Sequence, residues 1–410
     1  MSESNTYYQE WVSILSLTLT NFKGEEIDLT PYFLNIDIQE DIFMPVCSGK
    51  ITLIDTENMY ENFPIIGEEI IKITYKDFYS ETISREFSTF GVDNKESSTE
   101  SGSGYILNFC SRELLDNRNQ TYSKSYSNIE TDKIFSDALS RCNPTKEINI
   151  EKTQGLQSYI VPNIYPFDVC AQMASRAIST TGHTGTYLFF EDNVKFNFIS
   201  IEELIKAEPI YYNIGNASSV TIGGQKYIFK NFKFQKPVNN IKSKMHGSQG
   251  VETKSLDLMN RKIEDKSYDH YSEDYDKIQR TSSNNPDLKT TSDNYQYKSP
   301  QGLKKLIIQN SSDFSSTKSQ TTSIRYSALS SYVNGIKIHA ELPFNAALTV
   351  GMVIDVSIPK VTPGRADDAP VYDTHNQGKY LVMAVRQIIS PDHGETIIEI
   401  AKDTYTEKHE

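Results

Sequence analysis

FPIIGEEIIKITY (63–75) and LTVGMVIDVSIP (348–359) decide how this chain is read. Each has an apolar pair, a glycine and then an alternating run of the kind that makes a half-buried strand. The segments downstream of them are also alike. FSTFGV (87–92), a polar tip and YILNFCSRE (105–113) precede a helix-like segment; YLVMAVRQ (380–387), a tip with Gly394 and TIIEIAKD (396–403) keep the same order. The two copies differ in register by about one residue, and two generic hairpins would give a similar pattern. Short antiparallel strands with polar loops favour closed barrels, which leave no free edge. The expected fold class is mainly β with an α+β insertion: two similar barrels plus inserted α+β and polar domains.

Working outward, residues 1–113 read as the first β domain. WVSILSLTLT (11–20), residues 28–37, KITLID (50–55) and IIKITY (70–75) alternate, with Pro31, Pro45 and Pro64 at the joints. KESSTESGSG (95–104) reads as the tip of a long hairpin. Residues 114–208 change to α+β. Ile134, Phe135, Ala138, Leu139 and Cys142 recur at helical spacing. A second helix is expected from Pro166, a good first-turn residue, and a short third one has Ser200 as N-cap with Glu203 three residues on. Residues 186–200 read as a hairpin. Residues 209–243 and 325–410 form the second β domain. Residues 244–324 are rich in Ser, Thr, Asn, Asp, Lys and Tyr; such composition buries too little apolar area to offset chain entropy alone. They are expected to be an insertion, folded on a partner or partly disordered.

At 410 residues and about 150 per domain, the chain holds two to four domains. Its net charge of −13 argues against tight nucleic-acid binding, which needs bases to neutralise phosphates. The four cysteines, Cys47, Cys110, Cys142 and Cys170, show no paired spacing and sit among apolar neighbours. They read as buried thiols of a protein made in a reducing cytoplasm. The N-terminus lacks a signal-peptide pattern, and no run approaches the roughly 20 apolar residues of a membrane span.

Catalytic chemistry finds no foothold. There is no H-E-x-x-H, nucleophile elbow or P-loop. His183 lies between glycines and reads as a turn residue. Asp367, Asp368, Asp373 and His375 crowd one polar loop without calcium-loop spacing. Glu68-Glu69 and Glu202-Glu203 are adjacent in sequence, which does not place carboxylates across a cleft. Glu68-Glu69, at a strand start, reads as solvent-facing or at a subunit contact. No cofactor, metal or catalytic residue is expected, and the chain is read as not an enzyme.

EDIFMPVCSGKITLIDT (40–56) with NFPIIGEEI (62–70), and SYIVPNIYPFDVCAQMASRA (158–177), resemble the baseplate central hub proteins of contractile-tailed phages, a family related to the hub part of VgrG-type proteins. Gly49, Asp55, Pro64, Gly67 and Glu69 match in the first stretch; Pro162, Asn163, Pro166, Phe167 and Arg176 match in the second. Cys170 and Met173 stand where larger aliphatics are usual. Gly351 and Gly378 mark the closing part. The resemblance covers both ends and the middle, and is weak over 244–324. It implies two tube-type barrels per chain and a homotrimer, so that a pseudo-six-fold ring joins the hexameric tail tube to the trimeric central spike. The implied partners are the spike, the tube or tube-initiator protein and the baseplate wedges. DNA would pass through the lumen without specific binding, and the protein would reside in the virion tail. Few residues come after the last strand-like run, which disfavours a fused spike. A tail peptidoglycan hydrolase and a host-surface binding protein are the alternative readings.

Overall fold

A computed structural model describes residues 11–56, 59–63, 65–77, 82–98, 102–181, 185–214, 221–222, 225–226, 228–236, 250–257, 260–269, 281, 304–310, 329, 332–333, 335–358 and 372–403. The alternating runs of the first third become seven strands: β1 (Val12–Thr20), β2 (Glu26–Asp28), β3 (Phe33–Asp41), β4 (Ser48–Asp55), β5 (Ile70–Asp77), β6 (Thr82–Ser98) and β7 (Gly102–Cys110), with a short helix α1 (Met59–Asn62) after β4. They pair in the order β3–β4–β7–β6–β5–β1–β2, every pair antiparallel. Period-2 alternation sends Ile51, Leu53, Ile71, Ile73, Phe87, Leu107 and Phe109 to one core, all buried. Each such side chain contributes about 1.5–3 kcal/mol on burial. The hairpin tip is shorter than its polar composition suggests. β6 continues to Ser98 and β7 resumes at Gly102, because cross-strand hydrogen bonds carry polar residues as readily as apolar ones.

The middle region holds α2 (Arg112–Arg118), β8 (Tyr122–Glu130), α3 (Thr131–Ser140), β9 (Glu147–Ile150), β10 (Leu156–Ile164), α4 (Pro166–Arg176), β11 (Tyr187–Glu191), β12 (Lys195–Ser200) and α5 (Ile201–Leu204). Ile134, Phe135, Ala138 and Leu139 are all buried on one face of α3, as their spacing requires. Pro166 opens α4, and the Ser200 hydroxyl accepts the Glu203 N–H at 3.3 Å. Glu203 itself turns to Lys206 instead of closing a reciprocal cap. The helices cover an aromatic core in which Phe135 stacks on Phe198 at 4.1 Å and meets Phe189 edge-on at 5.1 Å. The β8–β10 ribbon has no counterpart in the sequence reading, since its outward residues are mostly serines and its apolar ones are spread thinly.

The last part contains β13 (Ile210–Ile214), β14 (Thr221–Ile222), β15 (Gln225–Lys226), β16 (Ile228–Phe229), β17 (Asn231–Lys236), β18 (Gly250–Asp257), β19 (Lys262–Asp269), β20 (Lys304–Asn310), β21 (Ile336–Pro343), β22 (Val353–Ser357), β23 (Gly378–Ile389) and β24 (Gly394–Lys402). Here the pairing order is β17–β21–β24–β23–β22–β13–β16. Strand for strand this repeats β3–β4–β7–β6–β5–β1, except that β13 runs parallel to β22 where β1 is antiparallel to β5. The Lys230 N–H, at the joint of β16 and β17, reaches the Glu341 carbonyl of β21 at 2.9 Å and brings the path back on itself. The described residues of the polar insertion include three paired strands. β18 pairs antiparallel with β19 along its whole length and parallel with β20 from Val251 to Asp257, and Val251 and Thr253 are buried. Backbone ladders supply the hydrogen bonds that its side-chain composition does not signal.

The two β parts are spliced into one sheet. β23 outruns β22 and pairs antiparallel with β3 from Ala384–Asp41 to Ile389–Ile36. No described helix is long and apolar enough to cross a membrane.

Candidate functional site: a buried polar seam

The splice between β3 and β23 is the feature that the rest of the chain converges on. Arg386 on β23 grips Asp37 on β3 with two bonds, Nε to Oδ1 at 2.9 Å and Nη2 to Oδ2 at 2.7 Å. Behind it lies a buried ion pair, Arg85 of β6 with Glu40 of β3 at 2.8 Å, with the two side chains 1% and 2% exposed. The other oxygen of Glu40 accepts the Thr349 hydroxyl at 2.5 Å and the Val350 N–H at 3.3 Å. One carboxylate therefore holds the first β part to the turn that opens β22.

Two further chains of bonds run beside it. Arg85 Nη2 donates to Cys47 Sγ at 3.0 Å, the Cys47 N–H donates to Glu191 at 2.8 Å, and Ser111 Oγ donates to the same carboxylate at 2.5 Å. Lys146 closes this chain by pairing with Glu191, so the α+β region is tied in as well. On the opposite side Tyr75 Oη donates to Gln387 Oε1 at 2.9 Å, and Gln387 Nε2 reaches the Asn345 carbonyl at 3.2 Å. Asn345 Nδ2 meets Tyr212 Oη at 3.1 Å, and Asp77 accepts the Ala346 N–H at 3.0 Å.

Burial shapes the electrostatics. It works against the Arg85 guanidinium, but the charge of Glu40 beside it holds it above its ordinary value. Burial and then the Glu191 carboxylate push the Cys47 thiol well up, so no thiolate nucleophile forms there. Burial also raises Glu191, although Lys146 and Ser111 pull the other way. The seam can orient and lock; it presents no activated acid, base or nucleophile to solvent. Among the described residues no group of three or more metal-ligating side chains comes together.

The residues singled out in the sequence brace this architecture from several places. Gly49 lies in β4 where a Cβ would fall on the Asp37 carbonyl and the Phe109 ring. Asp55 accepts the Met59 N–H at 2.8 Å and starts α1. Gly67 takes φ +94°, and buried Glu69 binds the N–H groups of Ile66 at 2.5 Å and Gly67 at 3.1 Å and the Thr89 hydroxyl at 2.5 Å. Pro64, His183, Asp367 and Asp368 lie outside the described residues. Pro162 is exposed next to Asn163, which takes φ +55° at a register shift of the ribbon. Phe167 donates its N–H to Asn117 at 2.8 Å, and Arg176 lies over the Tyr159 ring at 4.4 Å. Gly351, φ +82°, leaves room for Phe190, and Gly378, φ +109°, opens β23. Gly49, Gly67, Glu69 and Gly351 border the seam or its neighbouring turn, whereas the 162–176 group belongs to the α+β core. Asp373, from the acidic loop, caps a turn by accepting the N–H groups of His375 and Asn376.

Sequence reasoning missed Glu40, Arg85, Glu191 and Lys402. Lys402 is fully buried and donates to the carbonyls of His375, Asn376 and Gln377, each at 3.0 Å. Burial pulls it down to about 7, against Asp403, Asp373 and Asp355. A charged residue at an inward position of an alternating strand was the available signal for Arg85 and Lys402.

With this geometry in hand, comparison with solved structures is decisive for the fold. The chain aligns over 97% of its length, and over 98% of the other, with the tail protein from Neisseria meningitidis MC58 at TM-score 0.56 and 8% identity. The chain has the fold of phage tail proteins. The 43 kDa tail protein of prophage MuSo2 from Shewanella oneidensis matches over 95% of this chain and 99% of its own, at TM-score 0.51 and 10% identity. A fainter likeness, TM-score 0.46 at 9% identity over 97% and 79%, is to the E. coli c3393 protein, a component of the type VI secretion system. No family model and no curated protein matches the sequence.

Proposed function

We propose that this chain is a structural hub subunit of a phage-type tail baseplate. In this reading each recurring set of strands is a tube-type barrel, with the first within 1–113 and the second in 209–243 and 325–410. Three chains then set six similar units in a ring that joins a six-fold tube to a three-fold spike. The observation that carries the reading is the splice of β23 to β3. It aligns β17, β21, β24, β23, β3, β4, β7 and β6 as one sheet, with Lys233, His339, Glu399, Arg386, Gln39, Lys50 and Asn108 on one face. That continuous polar face suits the wall of a passage for DNA, with the apolar cores behind it. A heterologous ring closes only when successive contacts repeat the same rotation, and two like units per chain supply the repeats. The buried seam fixes the angle between the two units, as a structural role requires.

The test is assembly. Native mass measurement and imaging of the purified chain, alone and with a spike partner, should give a trimer with a central hole. A chain that stays monomeric in both conditions would sink the proposal. Release of soluble fragments from purified cell wall by this chain alone would favour the hydrolase reading.

A further inference from the structure

The internal splice specifies a second one. Both strand sets carry a bulge at the same place in the long hairpin strand: the register shifts between Thr89 and Gly91 in β6, and between Val382 and Ala384 in β23. Gly91 faces Asn108 of β7, and Ala384 faces Glu399 of β24. Counting on from the bulge, Asp93 holds the place of Arg386. The other partner is fixed the same way. Asn108 faces Lys50, which faces Asp37 of β3; Glu399 faces His339, which faces Lys233 of β17. Lys233 holds the place of Asp37.

Within the chain, Arg386 and Asp37 form the two-bond contact across β23 and β3. Their counterparts, Asp93 and Lys233, sit at the two ends of the eight-stranded sheet and carry the opposite signs. Both are exposed; among the described residues Asp93 meets only a side-chain amide, Asn108 Nδ2, at 2.6 Å. The strand edges match this. Past Ser88, β6 has left β5 and pairs with β7 alone, and β17 pairs with β21 alone, among the described residues. The bulge residues differ in the same sense. Met383 is 2% exposed and its carbonyl accepts the Ile42 N–H at 2.9 Å, whereas Phe90 is 52% exposed and Ile66, next to Gly67 in the chain, is 60% exposed. The buried Glu69 carboxylate braces the turn at Ile66 and Gly67, and the Phe90 backbone lies against Gly67.

We propose that β6 of one copy adds antiparallel to β17 of a second copy, repeating the β23–β3 splice, with Asp93 against Lys233 and Phe90 covered at the joint. This deepens the hub reading and rests on it. A free strand edge is an adhesive surface, and here charge selects the partner edge: the internal joint is Arg-to-Asp and the external one Asp-to-Lys, so adding β23 to β17 would oppose Arg386 to Lys233, and adding β6 to β3 would oppose Asp93 to Asp37.

The test is a charge-reversal cycle on the full chain, read by native mass and sedimentation, with folding checked by thermal melting. Asp93→Lys and Lys233→Asp should each weaken trimer formation about tenfold, since like charges then face each other across the joint. The double variant should recover to near wild type. A wild-type trimer that tolerates both reversals, or a double variant weaker than either single one, would overturn this interface while leaving the hub reading standing. A wild type that never assembles, with or without its spike partner, would remove both. If a variant fails to fold, zero-length carbodiimide coupling of a mixture of isotope-labelled and unlabelled wild type decides the matter: an Asp93–Lys233 amide between labelled and unlabelled chains supports the joint, and its absence overturns it.

Discussion

Replacing Arg85 by Met tests the seam most sharply. Arg85 and Glu40 are buried within the protein, and the guanidinium also serves Cys47 Sγ. Met fills the aliphatic space but leaves Glu40 with only the Thr349 hydroxyl and the Val350 N–H. Breaking a buried pair by removing one partner costs about 3–5 kcal/mol, because the remaining charge stays in a low-dielectric site. Taking about 4 kcal/mol, the folded-to-unfolded ratio drops by roughly a thousandfold at about 1.4 kcal/mol per factor of ten. Glu40→Leu with Arg85→Met removes both charges, and apolar replacement of a whole buried pair is often neutral or stabilising. The double variant should therefore be more stable than Arg85→Met alone. The assay is equilibrium urea unfolding, followed by circular dichroism and by the fluorescence of Trp11, for wild type, both singles and the double. A single-variant loss under about 1 kcal/mol, or a double-variant loss equal to the sum of the singles, would refute the argument that this pair is coupled and desolvated.

Other perturbations test other parts of the structure. Gly49→Ala puts a methyl group onto the Asp37 carbonyl and the Phe109 ring, so it should lose about 1–3 kcal/mol; a melting temperature equal to wild type would contradict the close approach. Lys402 is held at about 7 when folded against about 10.4 in an open chain. The unfolded chain binds the extra proton between those values, so this group's contribution to stability is full above about 10.4 and is lost as pH falls through about 7. Lys402→Met should flatten that part of the stability–pH curve between pH 6 and 9, and an unchanged slope would count against it. All four cysteines are buried, and burial raises each thiol, Cys110 and Cys142 to about 12. A thiol reagent at pH 8 should label none in the native protein and four after unfolding; rapid labelling of the native chain would show that the core opens.

What was legible in the sequence was local. Alternation in KITLID and IIKITY named strands and their inward residues, because side-chain direction has period two in any strand. The stripe of Ile134, Phe135, Ala138 and Leu139 named a helix face, and Pro166 its start, for the same kind of reason. The order of the two strand sets was visible around Gly67 and Gly351. Glu69 reads in the sequence as solvent-facing or at a subunit contact; in the structure it is buried, tying Ile66, Gly67 and Thr89. Strands in 244–324 were hidden because ladders between backbones leave little trace in composition. The seam was equally hidden. Glu40 meets Val350, Asp37 meets Arg386 and Cys47 meets Glu191 across long stretches of chain. A lone charge in a strand does not say which distant charge will meet it. The sequence alone determined which segments could be strands and helices and which side of each faces a core. Only the tertiary structure decided that β23 outruns β22 and joins β3, since backbone hydrogen bonds are the same for every residue and the choice of neighbour is made by how whole sheets pack.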